Sequence, residues 1–451
     1  MTPKRSDSGS RYYSCSGKAG NLSSTASKGA PLDLDGSLAP HSALEVPTSG
    51  STAALPADAI RVLRVIARMN VGGPAVQVVG LTEGLRPPRF QTRLLVGKVD
   101  PGEADYLQLR APHIKAVRVH GLGRAPDPGS DILALRTIAR EIRRFRPHIV
   151  HTHTAKAGLL GRVGAIVSRV PATVHTFHGH LLYGYFAGNT QRGIVRAERI
   201  LARSTTRLVA VGRQVRDDLV AAGIGRPEQY VIVPPGVSLP PAPPRELARD
   251  MLGLGRSGSV VGYVARLTAV KRPDRFIAAA KELASRQADV TFVVAGEGEL
   301  LADVRARAAP LGAGIRFLGW RRDVETIYAA CDVVVLTSDN EGMPVSLIEA
   351  SAMGTPAVTT NVGSAAEVVI DGETGFVTTS SPSDIAAAVE RILSSEALRR
   401  RMGDAAKDRA QRHFSTQRLV ADTALLYEEI AHHLRTTGRL SSSPPVQDLR
   451  R

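Results

Sequence analysis

Residues 332–363 read DVVVLTSDNEGMPVSLIEASAMGTPAVTTNVG. A short apolar run, Asp332–Leu336, enters a polar loop, Pro344 opens a helical stretch that Gly354 closes, and Pro356–Thr360 resumes an extended run. Proline early and glycine just past the end are the usual punctuation of a helix. The stretch is therefore a strand–helix–strand unit, the building block of parallel α/β folds. Two carboxylates are oddly placed. Glu341 sits in the loop, and Glu349 sits in a helix otherwise made of residues such as Val345, Leu347, Ile348, Ala350 and Met353. A carboxylate on so apolar a helix is costly if buried unpaired, which calls for a polar partner. A ribose diol, sugar hydroxyls or an arginine elsewhere in the core would each serve.

The alternation extends in both directions. Strands at 260–264, 290–295 and 315–318 alternate with helices at 274–285, 299–309 and 324–330, and a strand at 375–378 and a helix at 383–393 follow the opening stretch. Upstream, residues 233–244 read VPPGVSLPPAPP, which continues neither a helix nor a central strand and makes a rigid linker. Before it a second series runs, with strands at 61–67, 90–96, 148–151, 172–177 and 207–211. The expected fold is α/β, with two Rossmann-like, doubly wound parallel-sheet domains facing across a cleft. Residues 59–238 and 239–415 would form the domains. An amphipathic helix over 416–436 would cross back to the first. Residues 1–58, rich in Ser, Gly, Ala and Pro, and 437–451 read as disordered tails. Asp33 and Asp35 have metal-binding spacing, but no strand flanks them. Open parallel sheets bind ligands at the carboxyl ends of their strands, and domain interfaces are favoured pockets.

Composition narrows the function. No apolar run approaches the roughly 20 residues of a membrane-spanning helix, and no hydrophobic segment follows Lys4 and Arg5, so a secretory signal is not expected. Two cysteines, Cys15 and Cys331, make no disulfide framework, which fits a reducing cytoplasm. The net charge of +16 is concentrated in residues 61–230, where 27 Lys/Arg face 11 Asp/Glu, and the rest is balanced at 31 each. Such a half can face nucleic acid, an anionic membrane or a phosphorylated substrate, or be simply solvated. Aromatic content of 4% leaves few rings to interleave with the basic groups, which argues against nucleic acid.

Several clusters fall just after strands. Gly72-Gly73 makes either a phosphate-approaching turn at a helix start or a plain tight turn. His151, His153, His175, His178 and His180 crowd two strand ends. The helical i, i+4 pair or cysteine partners of a zinc site are absent, so no metal is expected, and strand-end histidines can instead hydrogen-bond a sugar hydroxyl. Arg266 and Lys271 leave a strand end together, as a diphosphate clamp or as solvated charges. The amides of Gly342 and Met343 lie near a helix start and could meet anionic oxygens. Gly296-Glu-Gly298 permits a further close backbone approach to phosphate.

In this order the clusters resemble the retaining glycosyltransferases of the GT-B fold, family 4, over roughly residues 61–430. The most specific element is Glu341-Gly-Met-Pro-Val-Ser-Leu-Ile-Glu349 with Gly354-Thr-Pro356, preceded by Gly262-Tyr-Val-Ala-Arg266-Leu and Lys271. Gly72-Gly73 and Thr176-Phe-His178-Gly match as well, and HTHTAKAG with HTFHGH most resembles members that build capsular, exopolysaccharide or lipopolysaccharide chains. The resemblance implies that Glu341 holds the donor sugar's hydroxyls and Glu349 the nucleotide ribose. Arg266 and Lys271 would grip the diphosphate, aided by the amides of Gly342 and Met343. His178 would line the sugar site, Gly73 would sit by the phosphate or acceptor, and Gly319 would lie near the base. Pro234-Pro235-Gly236 departs from the family, which usually has Asn before this Gly.

The implied reaction is front-face displacement of a nucleoside diphosphate, UDP by preference, with retention and no metal or other cofactor. The partners would be a nucleotide-sugar donor and a glycan or lipid-linked acceptor, with no nucleic acid. The basic first domain would suit peripheral association with the cytoplasmic face of an anionic membrane. A nucleotide-sugar epimerase or hydrolase on the same fold, and a basic nucleic-acid-binding protein, are the alternatives.

Overall fold

The computed structural model describes residues 59–100, 103–123, 127–179, 188–287 and 289–440. Cys15, Asp33, Asp35 and His180 lie outside them, as do the expected tails over 1–58 and 441–451. The first half runs β1 (Ile60–Ile66), α1 (Gly73–Gly84), β2 (Phe90–Val96), α2 (Tyr106–Arg110), β3 (Ala116–Arg118), α3 (Pro128–Phe145), β4 (Ile149–His153), α4 (Ala155–Val167), β5 (Ala172–Phe177), α5 (Gly188–Arg203), β6 (Arg207–Ala210), α6 (Arg213–Ala221) and β7 (Tyr230–Ile232). The second runs α7 (Arg245–Met251), β8 (Ser259–Val264), α8 (Pro273–Arg286), β9 (Val290–Ala295), α9 (Leu301–Ala308), β10 (Ile315–Gly319), α10 (Val324–Ala330) and β11 (Val333–Leu336). It continues through α11 (Val345–Ala352), β12 (Ala357–Thr360), α12 (Ala365–Val368), β13 (Gly375–Thr378), α13 (Pro382–Leu393) and α14 (Glu396–His413), and α15 (Thr416–Thr436) follows.

The strands form two all-parallel sheets, ordered β3-β2-β1-β4-β5-β6-β7 and β10-β9-β8-β11-β12-β13. Both reverse direction of growth beside their first strand, the doubly wound pattern that opens a crevice at the switch point. In the second sheet the β8–β11 pairing runs only from Val261↔Val333 to Gly262↔Val334, so the chains part before β8 ends. Strands covered on both faces carry near-continuous apolar runs, as β1 and β11 do. On one face of the first sheet, Ile60, Val62 and Val174 pack with Leu419, Tyr427, Ile430 and Leu434 of α15. That helix therefore belongs to the core of the first sheet although it comes last in the chain.

Two connections join the halves and run side by side. The Val237 N–H donates to the Phe414 carbonyl at 2.8 Å. Arg418 of α15 donates to the Pro234 and Pro235 carbonyls at 2.6 and 3.1 Å. The loop that departs from the family pattern thus faces the start of α15. Residues 437–440, expected as part of a tail, instead cap α15. Gly438 takes a φ of +67°, the Arg439 and Leu440 amides donate to the Leu434 carbonyl, and Leu440 packs on the first core.

Candidate active site

The carboxyl ends of the two sheets face each other, and glycines stand where the facing chains meet. α1 and α11 start against one another: a β-carbon on Gly73 would stand 2.9 Å from Val345 Cγ2. A β-carbon on Gly342 would stand 2.0 Å from the His178 carbonyl oxygen. Two helix N-termini and the backbone of the Gly342 loop therefore converge on one place, an arrangement that favours negative charge.

Glu341 is buried at the floor of this place. Its Oε1 accepts from Lys271 Nζ at 2.5 Å and from Ser338 Oγ at 2.6 Å. The loop is held from behind by Thr360 Oγ1, which donates to the Ser338 carbonyl at 2.7 Å, and by Arg275, which donates to the Thr337 carbonyl at 2.7 Å. Arg266 is exposed, and its side chain has no hydrogen-bond or ion-pair partner among the described residues. Sequence reasoning assigned Lys271 and Glu341 to one site, and the structure places their side chains in contact, but it missed Ser338, a serine in a polar loop with no distinguishing pattern.

Glu349 is partly buried on α11, and its hydrogen-bond partner within the protein is a tyrosine rather than an arginine. Tyr328 of α10 donates its hydroxyl to Glu349 Oε2 at 2.8 Å. Removal from water pushes the carboxyl up to about 7, against the pull of the Tyr328 hydroxyl and the Arg110 charge. Arg110 belongs to α2 of the facing half, and its Nη1 donates to the Arg322 carbonyl at 2.8 Å. Neither α2 nor this cross-cleft contact was legible in the sequence. Gly319 ends β10 with a φ of +64°, next to Trp320.

The histidines separate into two groups. His151, His153 and His175 are buried beneath the sheet surface with protein partners, which corrects the expectation that the strand-end histidines meet a sugar. His151 shares hydrogen bonds with Tyr427 (2.5 Å) and Thr176 (2.7 Å), and His175 with Thr152 (2.8 Å). His153 stacks on His151 and shares a 3.0 Å hydrogen bond with Nε2 of His178. Only His178 of this described group lies past its strand, at the contact with Gly342. Burial lowers its pKa to about 3, so the imidazole is neutral at ordinary pH. Among the described residues no group of His, Cys, Asp and Glu is arranged to hold a metal ion.

Two further glycines have a packing explanation that the phosphate reading lacked. β-Carbons on Gly296 and Gly298 would stand 2.0 Å from the Ala265 and 2.4 Å from the Leu267 carbonyl oxygens, so these glycines fit the chain leaving β8.

Comparison with known proteins agrees with this fold. Residues 71–239 match the model of Glycosyltransferase Family 4, and residues 245–409 that of Glycosyl transferases group 1. The UDP-Gal:alpha-D-GlcNAc-diphosphoundecaprenol alpha-1,3-galactosyltransferase of Escherichia coli is 32% identical over 302 residues, 64% of this chain and 76% of that protein. The D-inositol 3-phosphate glycosyltransferase of Corynebacterium aurimucosum is 30% identical over 395 residues, 82% and 90% of the two chains. Among solved structures, Anabaena HepE in complex with UDP and glucose aligns with a TM-score of 0.71 at 22% identity, covering 82% of this chain and all 100% of that one. Sucrose-phosphate synthase of Thermosynechococcus elongatus aligns with a TM-score of 0.71 at 20% identity, covering 83% and 100%.

Proposed function

This chain belongs to the family 4 glycosyltransferases of the GT-B fold, and from that premise we propose that it transfers a hexosyl group, with retention and without a metal, from a UDP-sugar to a lipid-linked or glycan acceptor of cell-surface polysaccharide synthesis. The observation that carries this reading is the Lys271–Glu341 pair beneath the facing starts of α1 and α11. A diphosphate arriving there competes with Glu341 for Lys271, and Arg266 is free to join it. Two cations and the amides of Gly342 and Met343 then stabilise the negative charge of the leaving group, a task other enzymes give to a metal ion. Losing Lys271 frees a Glu341 oxygen for the donor's sugar hydroxyls, while Ser338 keeps the carboxylate oriented. Glu349 meets the ribose, Gly319 lies by the base, and Gly73 approaches the phosphate or acceptor.

The chemistry follows from that placement. The bond from the anomeric carbon to the diphosphate breaks with its electron pair on the diphosphate. The acceptor hydroxyl oxygen forms the new bond on the same face, and its proton passes to the departing diphosphate oxygen. Positive charge develops on the sugar ring meanwhile, and a neutral His178 does not oppose it. The name of the Escherichia coli relative supports UDP as carrier and a lipid diphosphate as acceptor.

A second feature supports an acceptor at the cytoplasmic face of a membrane. Between residues 132 and 203 the only acids are Glu141 and Glu198, both buried, while Arg136, Arg140, Arg143, Arg144, Arg196 and Arg203 are exposed. Ile132, Leu133, Ile166 and Val167 stand out among them. No helix among the described residues is long and apolar enough to cross a membrane, so contact would be peripheral.

The test is nucleoside diphosphate release from a panel of UDP-, GDP- and ADP-sugars with membrane lipid extract and EDTA. One donor should turn over, and Glu341→Ala and Lys271→Ala should each lose about 100-fold or more in kcat. Release that needs no acceptor would favour a hydrolase, and release abolished by EDTA would remove the metal-free step. No turnover, with no nucleotide binding by calorimetry, would overturn the function.

A further inference from the structure

Helix α6 begins at the cleft without a cap of its own. Its N-cap is Gly212, which supplies no side-chain acceptor, so the first amides need partners from elsewhere. They find them in the facing half. Glu367 of α12 accepts from the Arg213 N–H at 2.9 Å through Oε2 and from the Gln214 N–H at 3.0 Å through Oε1. Both oxygens of one carboxylate therefore close the end of a helix that belongs to the other sheet. Gly212 is fitted to this approach, since a β-carbon there would stand 2.1 Å from Ser364 Oγ and 2.9 Å from Glu367 Oε1.

The segment that carries this cap also carries the floor of the site. The Ser364 amide donates to the Gly342 carbonyl at 2.9 Å, and the Glu367 amide to the Ser364 carbonyl at 3.2 Å. Gly363 passes so close beneath Glu341 that a β-carbon would meet its carbonyl oxygen at 1.8 Å. Arg409 of α14 holds the segment from behind, donating to the Glu367 carbonyl at 2.7 Å. With Glu367 on α6, the Gly342 loop lies against the His178 carbonyl. Were the contact to break, water would satisfy both the carboxylate and the amides, so a contact of this kind can bias an equilibrium and still reverse.

We propose that Glu367 is a positioning residue of the transfer reaction, which holds the cleft closed by capping α6 across it and so sets His178 against the Glu341–Met343 loop. The proposal rests on the transferase reading, but its first readout needs no turnover. The experiment is single-molecule FRET on the full chain between dyes on α3 and α14, with and without UDP, for wild type, Glu367→Gln, Glu367→Ala and Gly212→Ala. Glu367→Ala should shift the distribution toward long distances and lower kcat about three- to tenfold, the size of a charge-assisted cap, with donor affinity by calorimetry unchanged within about twofold. Glu367→Gln, which keeps one acceptor oxygen, should fall between. Gly212→Ala should open the cleft with the carboxylate intact, which keeps the proposal testable if Glu367→Ala folds poorly. A wild-type distance distribution in both Glu367→Ala and Gly212→Ala would overturn it, whether or not their melting temperatures fell. Were the wild type inactive on every donor, the transferase reading would fail while the distance measurement still decided the cap.

Discussion

At the scale of single residues, two groups at the site, Glu349 and His178, stand where their environment opposes the charged form. Glu349 titrates near 7 in the folded chain, against an ordinary value of 4.5, because its carboxyl is withdrawn from water. Between those values the folded chain holds a proton that the unfolded chain has released, so this group's contribution to stability falls as pH rises through that window. The buried histidines act oppositely. Burial lowers the pKa of His151, His153, His175 and His178, so acid favours the unfolded chain as pH drops below the ordinary histidine value. Comparing a variant with the wild type isolates the carboxyl. Glu349→Gln keeps an acceptor for Tyr328 and removes the buried charge. It should raise stability by about 1–3 kcal/mol at pH 8 and leave it nearly unchanged at pH 4.5, measured by urea unfolding at each pH. A stability gain equal at both pH values would mean that Glu349 is not held near neutrality.

At the scale of elements, α15 ties the second half's chain end into the first sheet, and its anchor is polar as well as apolar. Tyr427 is buried against Phe90 and shares its hydroxyl with His151. Tyr427→Phe keeps the ring and strands a buried imidazole nitrogen, which should cost about 1–3 kcal/mol, read as a lower denaturant midpoint at unchanged slope. An unchanged midpoint would show that the hydroxyl contributes nothing net.

The same elements mark what a sequence can and cannot disclose. Strands such as 290–295 and 333–336 were legible because each is an apolar run bounded by turn residues. β3 and β7 were not, since three residues carry no periodicity. α14 escaped because the face it buries is made of small residues, Gly403, Ala406 and Ala410 with Met402, among many charges. At the site, Glu349 was legible because a charge interrupts an apolar helix, and Glu341 and Lys271 because they stand in loops that follow strand ends. Ser338, whose partner Glu341 is a near neighbour in the chain, was not, because a serine in a polar loop carries no pattern. Tyr328 and Glu367 were not, because what distinguishes them is a partner distant in sequence. His151, His153 and His175 misled for the same reason, their partners being Tyr427, Thr176, Thr152 and His178 inside the protein.

At the scale of the whole molecule, charge and apolar exposure are segregated onto one side of the first sheet. α3 and α5 present arginines uncompensated by exposed acids, and Leu133 of α3 and Val167 of α4 are 57% and 67% exposed on the same side. Surface arginines alone are ordinary, but large apolar side chains among them lose exposure to water only when something covers them. An anionic bilayer satisfies both: basic groups near its surface gain about 1 kcal/mol each, and apolar side chains enter the boundary between headgroups and acyl chains. Full-length protein should therefore float with vesicles containing anionic lipid and remain behind with neutral ones, and salt should weaken the binding through screening. Arg140→Glu with Arg144→Glu should reduce the bound fraction at least about tenfold, and Ile132→Ser with Leu133→Ser should reduce it with the salt dependence preserved. Since these substitutions lie away from the Lys271–Glu341 pair, turnover of a soluble acceptor analogue should survive them, while turnover of a bilayer-embedded acceptor falls with binding. Equal flotation with anionic and neutral vesicles would instead assign the basic face to solvent, and the acceptor would then have to reach the cleft without a docked membrane.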